Sequence, residues 1–279
     1  MTSNTEILSA WQTSAQYWEK HRALIERMFA PLTRALIEEA QVRSKAVVLD
    51  IGGGSGEPSL TLARTVGPEG LITYTDPVPA MVDAARGEAT RRGLKNILFG
   101  QCAAQALPFS NDSFDCVVGR LSAMFFPEPL AGLREALRVV RPKGLVSFVV
   151  WADRDLNPFF GLMVEVMARF IESPPEDPDA PGAFRFAVPG KLVQLMRDAG
   201  AATATERQVD FRIEASISPE RFWELRTEMS DTLREKIARL SSEQLQQAKL
   251  GVEEAVRPFF SEGRMSFPAH AIIVSATKA

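Results

Sequence analysis

Asp50-Ile51-Gly52-Gly53-Gly54-Ser55-Gly56 decides the fold of this chain. It follows the apolar run Ala46-Val47-Val48-Leu49 and precedes the helix-like Pro58-Ser59-Leu60-Thr61-Leu62-Ala63-Arg64. A strand, a glycine turn and a helix in that order make a nucleotide-binding corner. Glycine is needed where the backbone turns through positive φ and comes close to a ligand. The helix behind offers free N–H groups, and Pro58 near its first turn forfeits no needed hydrogen bond.

Outward from that corner, short apolar runs alternate with helical stretches. Strands are expected at 45–51, 71–75, 96–100, 114–118 and 145–151, with helices near 58–66, 78–92 and 129–140 between them. Strands apolar on nearly every residue are covered on both faces, as in a parallel sheet. Strand–helix alternation marks a doubly wound α/β domain. After Trp151 the rhythm changes: an apolar helix over 158–172, a Pro- and Asp-rich loop over 173–182, a helix near 189–199, then a strand from Thr203 to Ile213. Two amphipathic helices are expected at 219–239 and 241–257 and a last strand from Ala269 to Ala276. In front of everything, residues 6–41 read as two helices broken near Pro31. The expected fold is α/β: a Rossmann-like, doubly wound, mostly parallel sheet of seven strands with an added helical lid. Its expected division is an N-terminal helical cap over 1–42, a core over 43–218, a lid over 219–258 and a final core strand within 259–279.

The bulk numbers narrow the function. The 279 residues are 46% hydrophobic and 24% charged, with net charge −3. That is ordinary globular composition, and the balance of charge speaks against a nucleic-acid or anionic-membrane partner. Cys102 and Cys116 are too far apart for a metal or redox pair, and His21 and His270 make no ligand cluster, so no metal is expected. The chain opens without a basic-then-apolar leader and holds no run of membrane-spanning length, which predicts the cytoplasm.

The spacing of the glycines selects the ligand. A dinucleotide domain wants G-x-G-x-x-G with a pyrophosphate on the helix N-terminus. Here the third glycine comes one place early, and Glu57 stands where phosphates would lie. Asp50 puts a carboxylate at the strand tip, which suits a ligand bearing an ammonium or sulfonium. Asp76 ends the strand at 71–75 and suits ribose hydroxyls. A ribose, a cation and no phosphate describe S-adenosylmethionine.

Val48-Leu49-Asp50-Ile51-Gly52-Gly53-Gly54-Ser55-Gly56 resembles motif I of the class I SAM-dependent methyltransferases. So do Thr75-Asp76 with Met81-Val82-Asp83-Ala84-Ala85-Arg86, Leu107-Pro108-Phe109 with Asp112-Ser113-Phe114-Asp115, and Arg138-Val139-Val140-Arg141-Pro142-Lys143-Gly144. The resemblance covers about 45–150 and is nearest to the ubiquinone and menaquinone C-methyltransferases. It implies that Asp50, Gly52 and Gly54 line the methionine end of the cofactor. It implies further that Asp76 holds the ribose, Pro77 and Met81 pack the adenine, and Cys102-Ala103-Ala104 flank the adenine edge. Many relatives carry Asp where Ala103 stands, so Gln101 or Gln105 is the candidate substitute. Arg120, after the fourth strand, joins the cofactor set at the carboxyl ends of the strands, where open α/β sheets bind ligands. Tyr17, on a front helix that in relatives covers the cofactor, joins it too.

For the acceptor, Trp18, Met124, Phe125, Trp151 and Phe159 are the candidate pocket; plain core is the competing reading for such residues. No Asn-Pro-Pro-Tyr follows the fourth strand to hold an amine, which favours carbon or oxygen as acceptor atom. The sequence names no clear general base. His21 is the candidate, against its reading as a solvent-facing helix histidine. The expected function is methyl transfer to a small, largely apolar molecule. A catalytically silent SAM-binding protein and an NAD(P) oxidoreductase are the alternatives from other classes.

Overall fold

The computed structural model describes residues 4–172 and 177–279. Its centre is a sheet in which β1 (Val47–Ile51), β2 (Leu71–Asp76), β3 (Ile97–Gln101), β4 (Phe114–Arg120) and β5 (Val140–Trp151) run parallel. Two long antiparallel strands, β6 (Thr203–Ala215) and β8 (Arg264–Thr277), complete it in the order β3-β2-β1-β4-β5-β8-β6. These are the seven expected strands. An eighth, the two-residue β7 (Phe260–Ser261), makes a hairpin arm with the start of β8.

The order reverses direction between β1 and β4, which places a crevice at their carboxyl ends. Val48, Leu49, Val117, Val118, Val149 and Val150 are fully buried there because helices cover both faces of the sheet. The layers are α2 (Arg22–Glu39), α3 (Ser59–Val66), α4 (Pro79–Arg91), α5 (Pro129–Val139), α6 (Pro158–Ala168) and α7 (Lys191–Asp198). The expected loop over 173–182 lies partly outside the described residues, at 173–176.

The front helices depart from expectation. α1 (Asn4–Lys20) and α2 separate at His21, and Pro31 sits inside an unbroken α2. Proline removes one helical hydrogen bond. Here Met28, Phe29, Leu32, Thr33 and Leu36 bury one continuous face across it, and tertiary packing carries the helix through.

The expected helix over 219–239 is two: α8 (Pro219–Glu228) and α9 (Asp231–Ala238). Ser230 divides them, its hydroxyl accepting from the N–H of Leu233 as an N-cap. α10 (Ser242–Val256) follows behind a capping box made by Ser241 and Gln244. The expected last strand, 269–276, begins five residues earlier, at Arg264, since β8 reaches out to pair all of β6.

Candidate functional site

The glycine turn leaves β1 and folds back over the tips of β2 and β4. The N–H groups of Gly52 and Gly53 both donate to the carbonyl of Thr75, at 2.8 and 3.1 Å. Gly52 sits at φ +72°, and a Cβ there would lie 2.6 Å from that of Ser122, whose hydroxyl donates to the carbonyl of Ile51 at 2.7 Å. Gly54 also has positive φ, +53°, yet a Cβ there would meet nothing within 4 Å. The first glycine is required by the protein's own packing, the second faces free space.

Two acidic strand tips flank that space. Asp50 is fully buried; its Oδ2 accepts from the hydroxyl of Ser59 at 2.7 Å, and its Oδ1 has no partner. Burial pushes its carboxyl up to about 7, against the opposing pull of Ser59 and the Arg120 charge. Asp76 accepts from the N–H of Val78 at 2.9 Å and of Gly54 at 3.0 Å. Burial still raises it, to about 6, with those two hydrogen bonds working the other way. The Tyr74 hydroxyl donates to the carbonyl of Gly54 at 2.5 Å, tying the same loop to β2.

Arg120 leaves the tip of β4 half-buried, its Nη1 donating to Thr33 Oγ1 of α2 at 2.8 Å and its Nε buried and unpartnered. Desolvation lowers its pKa, while the charges of Glu57 and Asp50 resist. Glu57, also buried, is pushed up by desolvation. Arg22 holds the rim from above. Its Nε donates to the carbonyl of Ser55 at 3.0 Å and its Nη2 to that of Ala84 at 2.9 Å.

α1 roofs the corner. Trp11 and Trp18 lie 5.7 Å apart between ring centroids, Trp11 stands edge-on to Phe125 at 5.1 Å, and both tryptophans pack against the small cluster of Ala15, Val78 and Met81. Nε1 of Trp18 is buried without a partner. Around the β3 tip, Ala104 is buried and Cys102 and Ala103 are half-buried. Burial pushes the Cys102 thiol up to about 11. Gln101 donates to the carbonyl of Pro77 at 3.4 Å, and Oε1 of Gln105 is buried and unpartnered.

The ring of Tyr17 lies under the guanidinium of Arg234 at 4.9 Å. Met124 and Trp151 are buried; Trp151 ends β5 against Phe29, Phe160 and Phe211. Phe159 lies fully buried beyond them, edge-on to Phe222 and Phe267.

His21 is not solvent-facing. It is 2% exposed, its Nε2 2.5 Å from Glu228 Oε2 and its Nδ1 3.3 Å from Arg221 Nη2. Lys20 beside it reaches Glu228 at 2.7 Å and Glu224 at 2.9 Å. Lys20-His21-Arg22 thus joins α8 on one side to the glycine loop on the other. Neither Trp11 nor Arg22 stood out in the sequence, where they read as ordinary helix-face residues.

The residues fit a cofactor with polar groups on several sides. Folded proteins leave few buried polar atoms unpaired. Asp50 Oδ1, Arg120 Nε, Gln105 Oε1 and Trp18 Nε1 are four such atoms, on elements that meet around the corner. A cavity of about 480 Å³ lies elsewhere, between α8 and α10, lined by Trp223, Val252 and Lys249.

A methyltransferase-domain family model matches residues 48–144, from β1 into β5. A nocamycin O-methyltransferase of Saccharothrix syringae is 30% identical over 200 residues, covering 67% of this chain and 70% of that one. The chain belongs to the class I methyltransferases, the family whose cofactor is S-adenosylmethionine. The UbiE ubiquinone/menaquinone C-methyltransferase of Hahella chejuensis is 35% identical over 134 residues, 48% of this chain. This methyltransferase spans about half the length of that relative, 53%. Among solved structures, the YcgJ protein of Bacillus subtilis shares the fold, with TM-score 0.58 and 22% identity over 88% of this chain and 97% of that one. Among the described residues, no helix is long and apolar enough to cross a membrane, and no group of His, Cys, Asp and Glu is placed to hold a metal.

Proposed function

We propose that this methyltransferase transfers the methyl group of S-adenosylmethionine to a small, largely apolar acceptor, at carbon or oxygen. The observation that carries the reading is the set of unpaired buried polar atoms on Asp50, Arg120 and Gln105, at or just past the carboxyl ends of β1, β4 and β3, together with the open face of Gly54. Bound there, the cofactor would supply a methyl group on a sulfonium, whose sulfur leaves as a neutral thioether without further activation.

The rest is positioning by the chain's own residues. Asp50 presents a buried carboxylate to the cationic methionine end, with Gly52 and Gly54 shaping the passage. Ser59 fixes the rotamer of Asp50 and leaves Oδ1 free. Asp76 takes the ribose hydroxyls, since each carboxylate oxygen retains a lone pair beyond its backbone hydrogen bond. Pro77, Met81, Cys102, Ala103 and Ala104 frame the adenine. Gln105, with its unpaired Oε1, stands in for the missing acid at 103. Arg120 offsets the charge of Asp50 and Glu57 from below, and Tyr17 belongs to the covering helix.

Trp18, Met124, Phe125, Trp151 and Phe159 supply the apolar wall that excludes water and orients the acceptor; α8 to α10 close it as a lid. Aligning nucleophile, methyl and sulfur is the main catalytic work. His21, held between Glu228 and Arg221, is assigned to the lid contact and not to proton transfer.

Titration calorimetry with S-adenosylhomocysteine tests the cofactor site. Asp76→Ala is expected to weaken binding at least tenfold; unchanged binding would remove Asp76 from the ribose, and tighter binding of NADH by the intact protein would remove the methyltransferase reading. Release of S-adenosylhomocysteine with quinols, phenols or polyketide-like acceptors reads turnover. Binding without turnover on any of them would fit a silent SAM-binding protein instead.

A further inference from the structure

The inward face of α8 carries Phe222, Leu225, Arg226 and Met229, the spacing of an apolar helix stripe with an arginine set into it. Arg226 is 6% exposed. Its Nε is buried without a partner, and its guanidinium makes no hydrogen bond or ion pair among the described residues. It lies instead over two rings, 5.0 Å from the centroid of Phe159 and 4.8 Å from that of Phe160.

Other inward-facing charges here have compensation of a different kind. Glu88 is met by Arg22, Arg91 and Arg92, Asp76 by two N–H groups, and half-buried Arg120 by Thr33 and the charges of Asp50 and Glu57; Glu57, whose two oxygens lack hydrogen-bond partners, still faces the charges of Arg120 and Arg92. Desolvation alone acts on Arg226, lowering it to about 10, so it remains a cation at neutral pH. Arginine is almost never buried without a partner, and its long stem allows it to reach solvent from a half-buried site. Here it stays inside. Ring faces attract a cation, but they leave its Nε–H without an acceptor.

The rings lead back to the cofactor corner. Phe160 is 4.8 Å from Trp151, and Trp151 is 5.5 Å from Phe29. Phe29 is one helical turn before Thr33, the residue that receives Arg120. One face of α2 therefore touches both the aromatic box and the β4 tip.

We propose that Arg226 receives a carboxylate carried by the methyl acceptor, whose flat apolar frame is seated among Phe159, Phe160 and Trp151. The guanidinium fork matches a carboxylate in two parallel hydrogen bonds, and in a dry box that pairing is strong. The proposal rests on the methyltransferase reading, because that reading makes the box the acceptor site. It adds a charge to an acceptor otherwise described only as apolar.

2-Naphthoate and 2-naphthamide, which share a shape and differ in charge, are the probes. Binding is followed by tryptophan fluorescence, with and without saturating S-adenosylhomocysteine. The intact protein is expected to favour the acid by about 10- to 100-fold. Arg226→Gln and Arg226→Met are expected to abolish that preference while leaving the dissociation constant for S-adenosylhomocysteine within about twofold. Arg226→Met is also expected to resist urea better than the intact protein, since it removes an unpaired buried charge. A structural arginine predicts the reverse: loss of stability with the acid preference kept. Equal binding of acid and amide by the intact protein, absence of binding by both, or a preference that survives Arg226→Gln overturns the proposal. Failure of S-adenosylhomocysteine to bind would instead strike the cofactor reading, with the naphthoate comparison still readable alone.

Discussion

Replacing Asp50 by asparagine should change how stability depends on pH, and the size of the change follows from its burial. Its carboxyl sits at about 7 in the folded protein against an ordinary 3.8. The folded state therefore holds that proton more tightly than the unfolded chain does. Stability from this source is full below about pH 4 and is lost as pH rises towards 7. At about 1.4 kcal/mol per unit, the ionised group costs roughly 4 kcal/mol at pH 8 and roughly 2 kcal/mol at pH 5.5. The asparagine side chain is neutral throughout, so Asp50→Asn should stabilise the ligand-free protein by about 2 kcal/mol more at pH 8 than at pH 5.5. The window avoids Glu88 and Glu26, which arginines hold below their ordinary range and whose stabilising contribution fades only in stronger acid. Asp76, raised to about 6, moves with the same sign in both proteins and cancels to first order, apart from the part by which its charge raises Asp50. Equilibrium urea unfolding at the two pH values measures the effect. The same variant should bind S-adenosylhomocysteine about tenfold or more weakly, having lost a charge-assisted contact. An equal stability difference at both pH values would show that burial does not raise the Asp50 carboxyl in the folded protein, and the electrostatic account of the corner would fail with it.

Two further substitutions separate packing from ligand space, and a third addresses the lid. Gly52→Ala drives a Cβ to 2.6 Å from Ser122 at positive φ, and should cost about 2–3 kcal/mol in urea unfolding. Gly54→Ala meets no atom within 4 Å; it should cost only about 1 kcal/mol, yet lose S-adenosylhomocysteine binding in calorimetry. Retained binding by Gly54→Ala would show that the ligand does not use that space. Glu228→Gln removes the charge shared by Lys20 and His21, and should speed hydrogen exchange in α8 by about fivefold while leaving β1 and β4 unchanged. The ion pairs are partly exposed, so a larger effect is not expected, and unaltered exchange in α8 would rule out a fastening role.

The parallel strands and the corner were legible because their signals are local. Apolar runs of five to seven residues, glycines at a turn and an acid at each of two strand tips are all written within 45–120. The front helices were not legible in the same way. Pro31 is a strong local breaker, but the buried face from Met28 to Leu36 outweighs it. The actual break, at His21, is held by Glu228 and Arg221, some two hundred residues away, and no window of sequence contains that contact. Ser230 was different, since Met229-Ser230-Asp231 already carries an N-cap before an acidic first turn. Arg226 was visible as well: an arginine inside the stripe Phe222, Leu225, Met229 breaks the helix pattern at one position. Where one residue contradicts the face it sits on, and the structure keeps it buried, the contradiction points to function more sharply than the surrounding pattern does. In this methyltransferase that rule singles out Asp50 at the proposed cofactor site and Arg226 at the proposed acceptor site.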